Sequence, residues 1–254
     1  CILYDDNDDI TKLRTNLSKK LHPDDIVIFH GSLQLANRLL KQTAYYPGVY
    51  LTLENYECFR YYGYYGDNLL NSDYLMMGLN DVLRNKDFIF NTFKTESIFI
   101  RPSNGFKSFT GQCLSKQNFE FEFNVLTKSY GGLENDILIL VSSSKEILEE
   151  YRFIVVDKKI ISGALYMNEE NRKSWKADYN TLCTDEKALE YANSLINIYQ
   201  PDKCFNMDIC KLKTGEYKLM EINSFCCGSL YGNDYEKIVN AVNKIVEDDY
   251  NDIN

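Results

Sequence analysis

The stretch from Phe205 to Asn223 runs FNMDICKL, then KTGE, then YKLMEIN. Two alternating segments flank a glycine-containing turn, a pattern that specifies a β-hairpin and sends successive side chains to opposite faces. In the first strand Phe205, Met207 and Ile209 share one face and Asn206, Asp208 and Cys210 the other; in the second, Lys218, Met220 and Ile222 alternate with Leu219, Glu221 and Asn223. The turn fixes the register and sets Asp208 near Glu221, with Asn223 pointing the same way as Glu221. Carboxylate and amide oxygens gathered in this way suit a hard divalent cation whose shell is completed by water and phosphate. A solvated acidic face, ordinary on an antiparallel pair, is the plain alternative. The short loop from Ser224 to Gly228 is small and pliable, as a segment beside a ligand must be. Lys107 and Arg152, far upstream, supply the phosphate-binding half if the fold brings them here.

A chain of 254 residues, 44% of them hydrophobic, is globular and long enough for one large domain or two to three small lobes. Its 37 acidic against 28 basic residues give a net charge of −9, which argues against general nucleic-acid binding and leaves room for a local basic pocket. The longest apolar runs, 137–141 and 153–156, fall far short of a membrane span. No signal peptide is visible, and the sequence begins at Cys1 rather than at Met. None of the eight cysteines has zinc-type spacing, and most sit in apolar segments, so they read as free thiols of a reduced cytoplasm. The adjacent Cys226 and Cys227, next to the acidic hairpin, offer a reactive pair as one reading, and simple packing is favoured because no basic neighbour in the sequence lowers a thiol pKa.

Taken in order, residues 1–44 predict a small α/β beginning: a short strand at 1–4, an acidic helix start at 5–9, the strand IVIFH, Gly31-Ser32 and the helix LQLANRLLKQ. Ser32 fits an N-cap, and a strand leading into a helix N-terminus also suits an anion. Residues 45–74 hold nine of the 20 tyrosines with little basic residue between them, which favours packing between lobes over base stacking. Residues 73–84 predict a helix with Met76, Leu79 and Leu83 on one side. From residue 97 hairpins take over: the strand SIFIRP, a loop bearing Gly105, Lys107 and Gly111, the Gly131-Gly132 turn and the strand DILILV. KEILEE predicts a short turn or helix, and YRFIVVD and IISGALYM predict a hairpin. In that setting a surface ion pair with Glu149 or Glu150 is the plain role for Arg152. Helices over 185–199, facing inward through Leu189, Ala192, Leu195 and Ile196, and over 235–249, through Ile238, Val239, Val242 and Ile245, complete the chain, with a frayed tail beyond. The domain boundary is expected near Lys94, dividing 1–94 from 95–254.

The order of FIRPSNGFKSFTG, EEYRFIVVDKKIISGALY and MDICKLKTGEYKLMEIN resembles the ATP-grasp superfamily, and most of all its small, often phage-encoded clade named for two arginines and a lysine. The resemblance covers roughly residues 26–245. It implies an α+β fold in which two antiparallel-sheet lobes enclose ATP, after a small α/β domain. It further implies that Arg101 and Lys107 hold phosphates, that adenine meets backbone near Val141, Ser142 and Ser143, and that Glu150 and Arg152 face the nucleotide or an acyl phosphate. Asp208, Glu221 and Asn223 would then hold Mg2+, while Gly31, Ser32 and Ser224 would face the acceptor substrate. The implied activity is that of an ATP- and magnesium-dependent carboxylate–amine ligase on a small molecule or peptide end, in the cytoplasm or, for a viral protein, a host's cytoplasm. A phosphotransferase on the same scaffold and a non-catalytic ATP-binding module are the alternatives. The FCCGSLYG tail after Asn223 has no counterpart in the family pattern.

Overall fold

The computed structural model describes residues 21–22, 25–42, 45–130, 133, 137–174 and 181–253. The strand and helix start expected at 1–9 and the Gly131-Gly132 turn lie outside them. The described chain opens with two short parallel strands, β1 (Ile26–Ile28) and β2 (Tyr46–Gly48), joined through helix α1 (Leu33–Gln42). Ser32 Oγ accepts from the Leu35 N–H at 3.3 Å, so the expected N-cap forms. A 3-10 turn at Leu53–Tyr56 and helix α2 (Cys58–Tyr65) lead into the sheets.

The first sheet is built from β3 (Leu75–Gly78), β4 (Ser97–Pro102), β5 (Gln112–Ser115) and β6 (Leu138–Ser143), all antiparallel and in the order β3-β6-β4-β5. Three helices, α3 (Leu79–Arg84), α4 (Lys86–Phe93) and α5 (Phe119–Ser129), bury Val82, Phe90, Phe119 and Phe123 against its Ile98, Ile100, Ile139 and Val141. The single helix expected over 73–84 is instead a strand followed by a helix. Met76 joins one core while Leu75 and Met77 join another, the two-residue alternation of a strand, and pairing with β6 fixes it. Tertiary pairing here overrides a pattern too short to tell a strand repeat from a helical one. In α5 the alternating FEFEF start is helical all the same: Phe119, Phe123 and Leu126 are buried and Phe121 faces out. This sheet draws β3 from before Lys94.

The second sheet is built from β7 (Ile147–Val156), β8 (Lys159–Asn168), β9 (Thr181–Leu182), β10 (Cys204–Leu212) and β11 (Tyr217–Ser224), antiparallel in the order β11-β10-β7-β8-β9. Helix α6 (Glu169–Ser174) follows β8, and α7 (Glu186–Leu195) is capped by Asp185, whose carboxylate accepts from the Lys187 and Ala188 N–H groups. KEILEE is not a separate turn or helix: β7 starts at Ile147, opposite Leu212 of β10. On α7 the buried residues are Ala188, Ala192 and Leu195, while Leu189 is exposed. One face of the sheet, with Phe153, Phe205 and Met207, packs on α7 and on Tyr61, Tyr62 and Tyr65 of α2, which also reach Leu140 of the other sheet. The tyrosine-rich stretch thus forms core between the lobes. The opposite face packs on helix α8 (Tyr235–Ile253) through Ile238, Val242 and Val246. Val239 is exposed, and the helix runs past residue 249, where Asp249 accepts from the Tyr50 hydroxyl at 3.0 Å and pairs with Lys203. The α+β arrangement of two antiparallel lobes is therefore present.

Candidate active site

The hairpin β10–β11 forms in the register that the sequence predicts, Asp208 opposite Glu221 and Asn206 opposite Asn223, with a bulge just after Asp208. On its other edge β10 pairs with β7 and sets Asp208 opposite Arg152. Strand β4 delivers Arg101 at its end, and the loop that follows delivers Lys107. Lys107 holds a left-handed φ of 51°, a conformation costly for a residue other than glycine and concentrated at functional sites. Gly105 in the same loop lies so close to residue 53 that an added Cβ would stand 2.7 Å from the Leu53 carbonyl oxygen.

Five charged side chains and one amide interlock. Arg152 donates from Nε to Asp208 Oδ1 at 2.7 Å, from Nη2 to Oδ2 at 2.6 Å, and from Nη1 to the Ser229 carbonyl at 3.0 Å. Glu221 accepts from Arg101 Nη1 at 2.9 Å on Oε2 and from Lys107 Nζ at 3.0 Å on Oε1. Asn223 Nδ2 bridges the carboxylates, 3.1 Å from Asp208 Oδ2 and 2.8 Å from Glu221 Oε1. Burial acts to raise the Glu221 carboxyl, but Lys107, Arg101 and the Asn223 amide outweigh it and hold the group far below the carboxylate range. Asp208 is fully buried; desolvation pushes its carboxyl up while the Arg152 fork favours its charged form. Neither plain alternative describes the arrangement. Asp208 is not on a solvated face, and Glu150 and Glu149 pair with Arg172 at 2.6 Å and Lys211 at 3.1 Å, leaving Arg152 to Asp208.

Arg152 also lies over the Tyr231 ring, 4.9 Å from its centroid, and Tyr231 stacks on Tyr166 at 4.5 Å and 7°. Tyr231 has a left-handed φ of 48°. Two cavities open on this cluster. One, of about 480 Å3, lies between the sheets among Phe99, Ile147, Met220, Lys145 and Glu150. The other, of about 320 Å3, is lined by Leu33, Leu51, Leu53 and Tyr56 together with Asn104, Asn223, Ser224, Cys227 and Ser229. Arg101, Lys107, Arg152 and Tyr231 line both.

The sequence from 84 to 241, more than half of the chain, matches the model of an ATP-grasp domain, the second family of the clade named for two arginines and a lysine. The chain belongs to this ATP-grasp family. Among solved structures it is similar in fold to D-alanyl-alanine synthetase A from Vibrio cholerae, with a TM-score of 0.55, 14% identity, and 87% of this chain and 77% of that one covered. The VanG D-Ala:D-Ser ligase from Enterococcus faecalis gives a TM-score of 0.53 at 15% identity, covering 86% of this chain and 68% of that one. The D-alanine-D-alanine ligase from Coxiella burnetii gives 0.53 at 11% identity, covering 78% and 58%. The chain spans 64% of the length of D-cycloserine synthetase DcsG and 50% of that of an N5-carboxyaminoimidazole synthase from Aspergillus clavatus. Among curated proteins no sequence matches.

Within this ATP-grasp chain, Arg101, Lys107, Arg152, Asp208, Glu221 and Asn223 are brought together. Glu150 lines the larger cavity and Ser224 the smaller, its hydroxyl donating to the Tyr50 carbonyl at 3.1 Å. Val141, Ser142 and Ser143 belong to β6, flanked by β3 and β4. Ser142 Oγ donates to Asn71 Oδ1 at 3.0 Å, Ser143 donates to Asp73, and the cavity wall nearby is made by Asn71, Lys145 and Ile147. Gly31 and Ser32 line neither cavity: the Gly31 N–H donates to the Cys226 carbonyl at 2.6 Å, and it is the next residue, Leu33, that lines the smaller one. Tyr231 and Tyr166 were not singled out from the sequence, since Tyr231 adopts its left-handed backbone without a glycine to announce it. Cys227 corrects the reading of its pair as surrounded by nothing basic. A hydrogen bond with Cys226 first, and then Lys107 and Arg152 against the effect of burial, bring its thiol down to about 7.

The donor set also bears on a metal. Among the described residues no three His, Cys, Asp or Glu side chains cluster as a self-sufficient metal site. Two carboxylates and one amide on a single face, with cations beside them, fit a hard cation that completes its shell with water and phosphate oxygens, as magnesium does.

Proposed function

We propose that this chain is an ATP- and magnesium-dependent carboxylate–amine ligase. The observation that carries the reading is the junction: two cavities of about 480 and 320 Å3 meet at the same two arginines, lysine and tyrosine. ATP occupies the larger cavity as substrate, with adenine toward Lys145 and Ile147 and the phosphates at Arg101, Lys107 and Arg152. Asp208, Glu221 and Asn223 hold Mg2+, which when bound neutralises charge on the transferring phosphate. The carboxylate of the second substrate enters from the smaller cavity, receives the γ-phosphate, and the resulting acyl phosphate is opened by an amine. Positioning and charge neutralisation are the protein's main contributions, which is consistent with a site that holds no nucleophile–base pair. Residues 95–254 supply the ATP-grasp unit, with β3 added from the preceding segment. The seven described cysteines are unpaired, and no described helix is long and apolar enough to cross a membrane.

The ion pairs balance the charges of the site. The cations meant for phosphate and the carboxylates meant for metal neutralise each other, and ATP with Mg2+ replaces both sets of contacts together. The test is ADP release with candidate acids and amines, followed by the mass of the product. Condensation with loss of phosphate supports the ligase; a product that retains phosphate assigns a phosphotransferase. Full turnover in both Asp208→Ala and Glu221→Ala would show that the metal assignment is wrong.

A further inference from the structure

Arg152 is held by two kinds of contact. Nε and Nη2 donate to Asp208 and Nη1 donates to the Ser229 carbonyl, which engages three of the five N–H groups of the guanidinium. Beside these stand two rings: Cζ lies 4.9 Å from the Tyr231 centroid and 5.6 Å from that of Tyr166, and the rings stack at 4.5 Å and 7°. A ring attracts the cation without accepting from an N–H group and without a charge of its own. The turn that carries Ser229 and Tyr231 is tied to the strands beneath it. Asn233 Nδ2 donates to the Leu230 carbonyl at 2.9 Å and to the carbonyl of Arg152 itself at 3.3 Å. The Asp234 N–H donates to Ser162 Oγ at 2.9 Å, and the Tyr235 hydroxyl donates to the Tyr231 carbonyl at 2.7 Å. Tyr231 keeps a left-handed φ of 48° within this turn, a conformation that a residue other than glycine holds only where its surroundings impose it. Arg152 and Tyr231 line both cavities, and Tyr166 lines the larger.

In the ligase reading Asp208 gives its oxygens to Mg2+, and the fork that it makes with Arg152 opens. A long side chain released in this way regains rotamer freedom, which works against transfer at a fixed geometry. The Ser229 carbonyl and the two rings belong to no metal-binding residue, so these contacts persist. We infer that Tyr231, backed by Tyr166, is a positioning residue for phosphoryl transfer: its ring keeps the Arg152 guanidinium at the junction of the cavities after Asp208 has turned to the metal. The N–H groups freed from Asp208 are then left for the transferring phosphoryl group. A carboxylate in place of the ring would hold the cation as well, but it would occupy those donors and cancel the charge that stabilises the transfer. This role rests on the ligase reading and adds to it the residues that steer its arginine.

The test uses ADP, Mg2+ and orthovanadate, which stands for the phosphoryl group in flight and needs neither the unknown acid nor the unknown amine. Calorimetric titration of the parent should show ADP and Mg2+ bound more tightly once vanadate is present. Tyr231→Leu should bind ADP and Mg2+ alone within about threefold of the parent, which reports that it is folded, and should lose roughly tenfold in affinity when vanadate is added. Tyr231→Phe should restore that affinity to within about twofold, because the ring is kept. Tyr166→Leu should lose about threefold, since it only backs the nearer ring, and it is read alone if Tyr231→Leu does not fold. In an Arg152→Gln background Tyr231→Leu should have no further effect on the vanadate complex, whereas a merely structural role would add its loss in full. Equal losses in Tyr231→Phe and Tyr231→Leu, no loss in a folded Leu variant, or a full further loss in the Arg152→Gln background overturns the inference and leaves the ligase reading standing. Vanadate that does not tighten ADP binding in the parent overturns it as well. A parent that binds no ADP with Mg2+ sinks the ligase reading, and the inference falls with it.

Discussion

The two walls of the smaller cavity are held in different ways. The polar wall, on β7, β10, β11 and the end of β4 with its following loop, is fixed by a set of charged hydrogen bonds among Arg152, Asp208, Asn223, Glu221, Arg101 and Lys107. The leucine side is held by packing, with Leu51 joining Ala36, Leu39, Val49 and Cys226 in a small core, and by hydrogen bonds from Thr52 and Tyr56 to Asp202. One wall is rigid at its centre because parting the buried Arg152 and Asp208 strands both charges. The other tolerates exchange, because swaps among apolar side chains of similar volume cost little.

The largest effect should come from cutting the rigid wall. Asp208→Ala leaves the Arg152 guanidinium buried without its carboxylate and should lower stability by about 3–5 kcal/mol in urea denaturation as well as abolish ADP release. A loss under about 1 kcal/mol would mean that the pair is not closed in solution. Glu221→Gln keeps the shape, removes one charge, and should reduce turnover by two or more orders of magnitude with a smaller loss of stability; turnover near the parent level would break the comparison.

A pH series sharpens the same contrast. Glu221 has a folded-state pKa lowered from 4.5 by Lys107 and Arg101 against the effect of burial, so its ionised form stabilises the fold above that value. The stability it contributes is lost as pH falls through the acid range below 4.5, because the unfolded chain then binds the proton first. Thermal melts of the parent should therefore fall more steeply below pH 4.5 than those of Glu221→Gln, and parallel curves would show that the carboxylate is not held in this way.

Tyr231→Phe keeps the ring over Arg152 and should leave kcat within a few-fold of the parent. Tyr231→Ala removes a cation–π contact on the order of 1–2 kcal/mol and should lower kcat more than it raises the KM for ATP. Equal losses in the two variants would show that the hydroxyl, and not the ring, acts on Arg152. The smallest effect is at Cys227. Its alkylation by iodoacetamide should rise with pH around a midpoint near 7, while Cys226, raised by the hydrogen bond to Cys227 and by burial, stays unreactive. A midpoint in the ordinary thiol range would place Cys227 outside the field of Lys107 and Arg152.

Much of the polar wall was legible in the sequence, because its elements are local. Alternation in FNMDICKL and YKLMEIN and the tight turn between them determine which side chains share a face and that Asp208 meets Glu221. The resemblance to ATP-grasp chains then located Arg101, Lys107 and Arg152. What local pattern could not supply was partner choice. Arg152 has Glu149 and Glu150 near it in the sequence, yet Glu149 pairs with Lys211 and Glu150 with Arg172, and the pairing of β7 with β10 delivers Asp208 to Arg152 instead. Residues 75–78 became a strand because β6 offered an edge, and Tyr231 became a platform because the chain after Asn223 turns back beneath Arg152.

The sequence by itself determined the hairpin, its register and the chemical kind of its donors, since a repeat of two residues and one turn suffice for these. Only the tertiary structure decided that Leu33, Leu51, Leu53 and Tyr56 form the far wall of the site and that Lys107 and Arg152 reach Cys227. Those contacts join segments far apart along the chain, and their energy comes from burial shared between segments, which no single segment's pattern records.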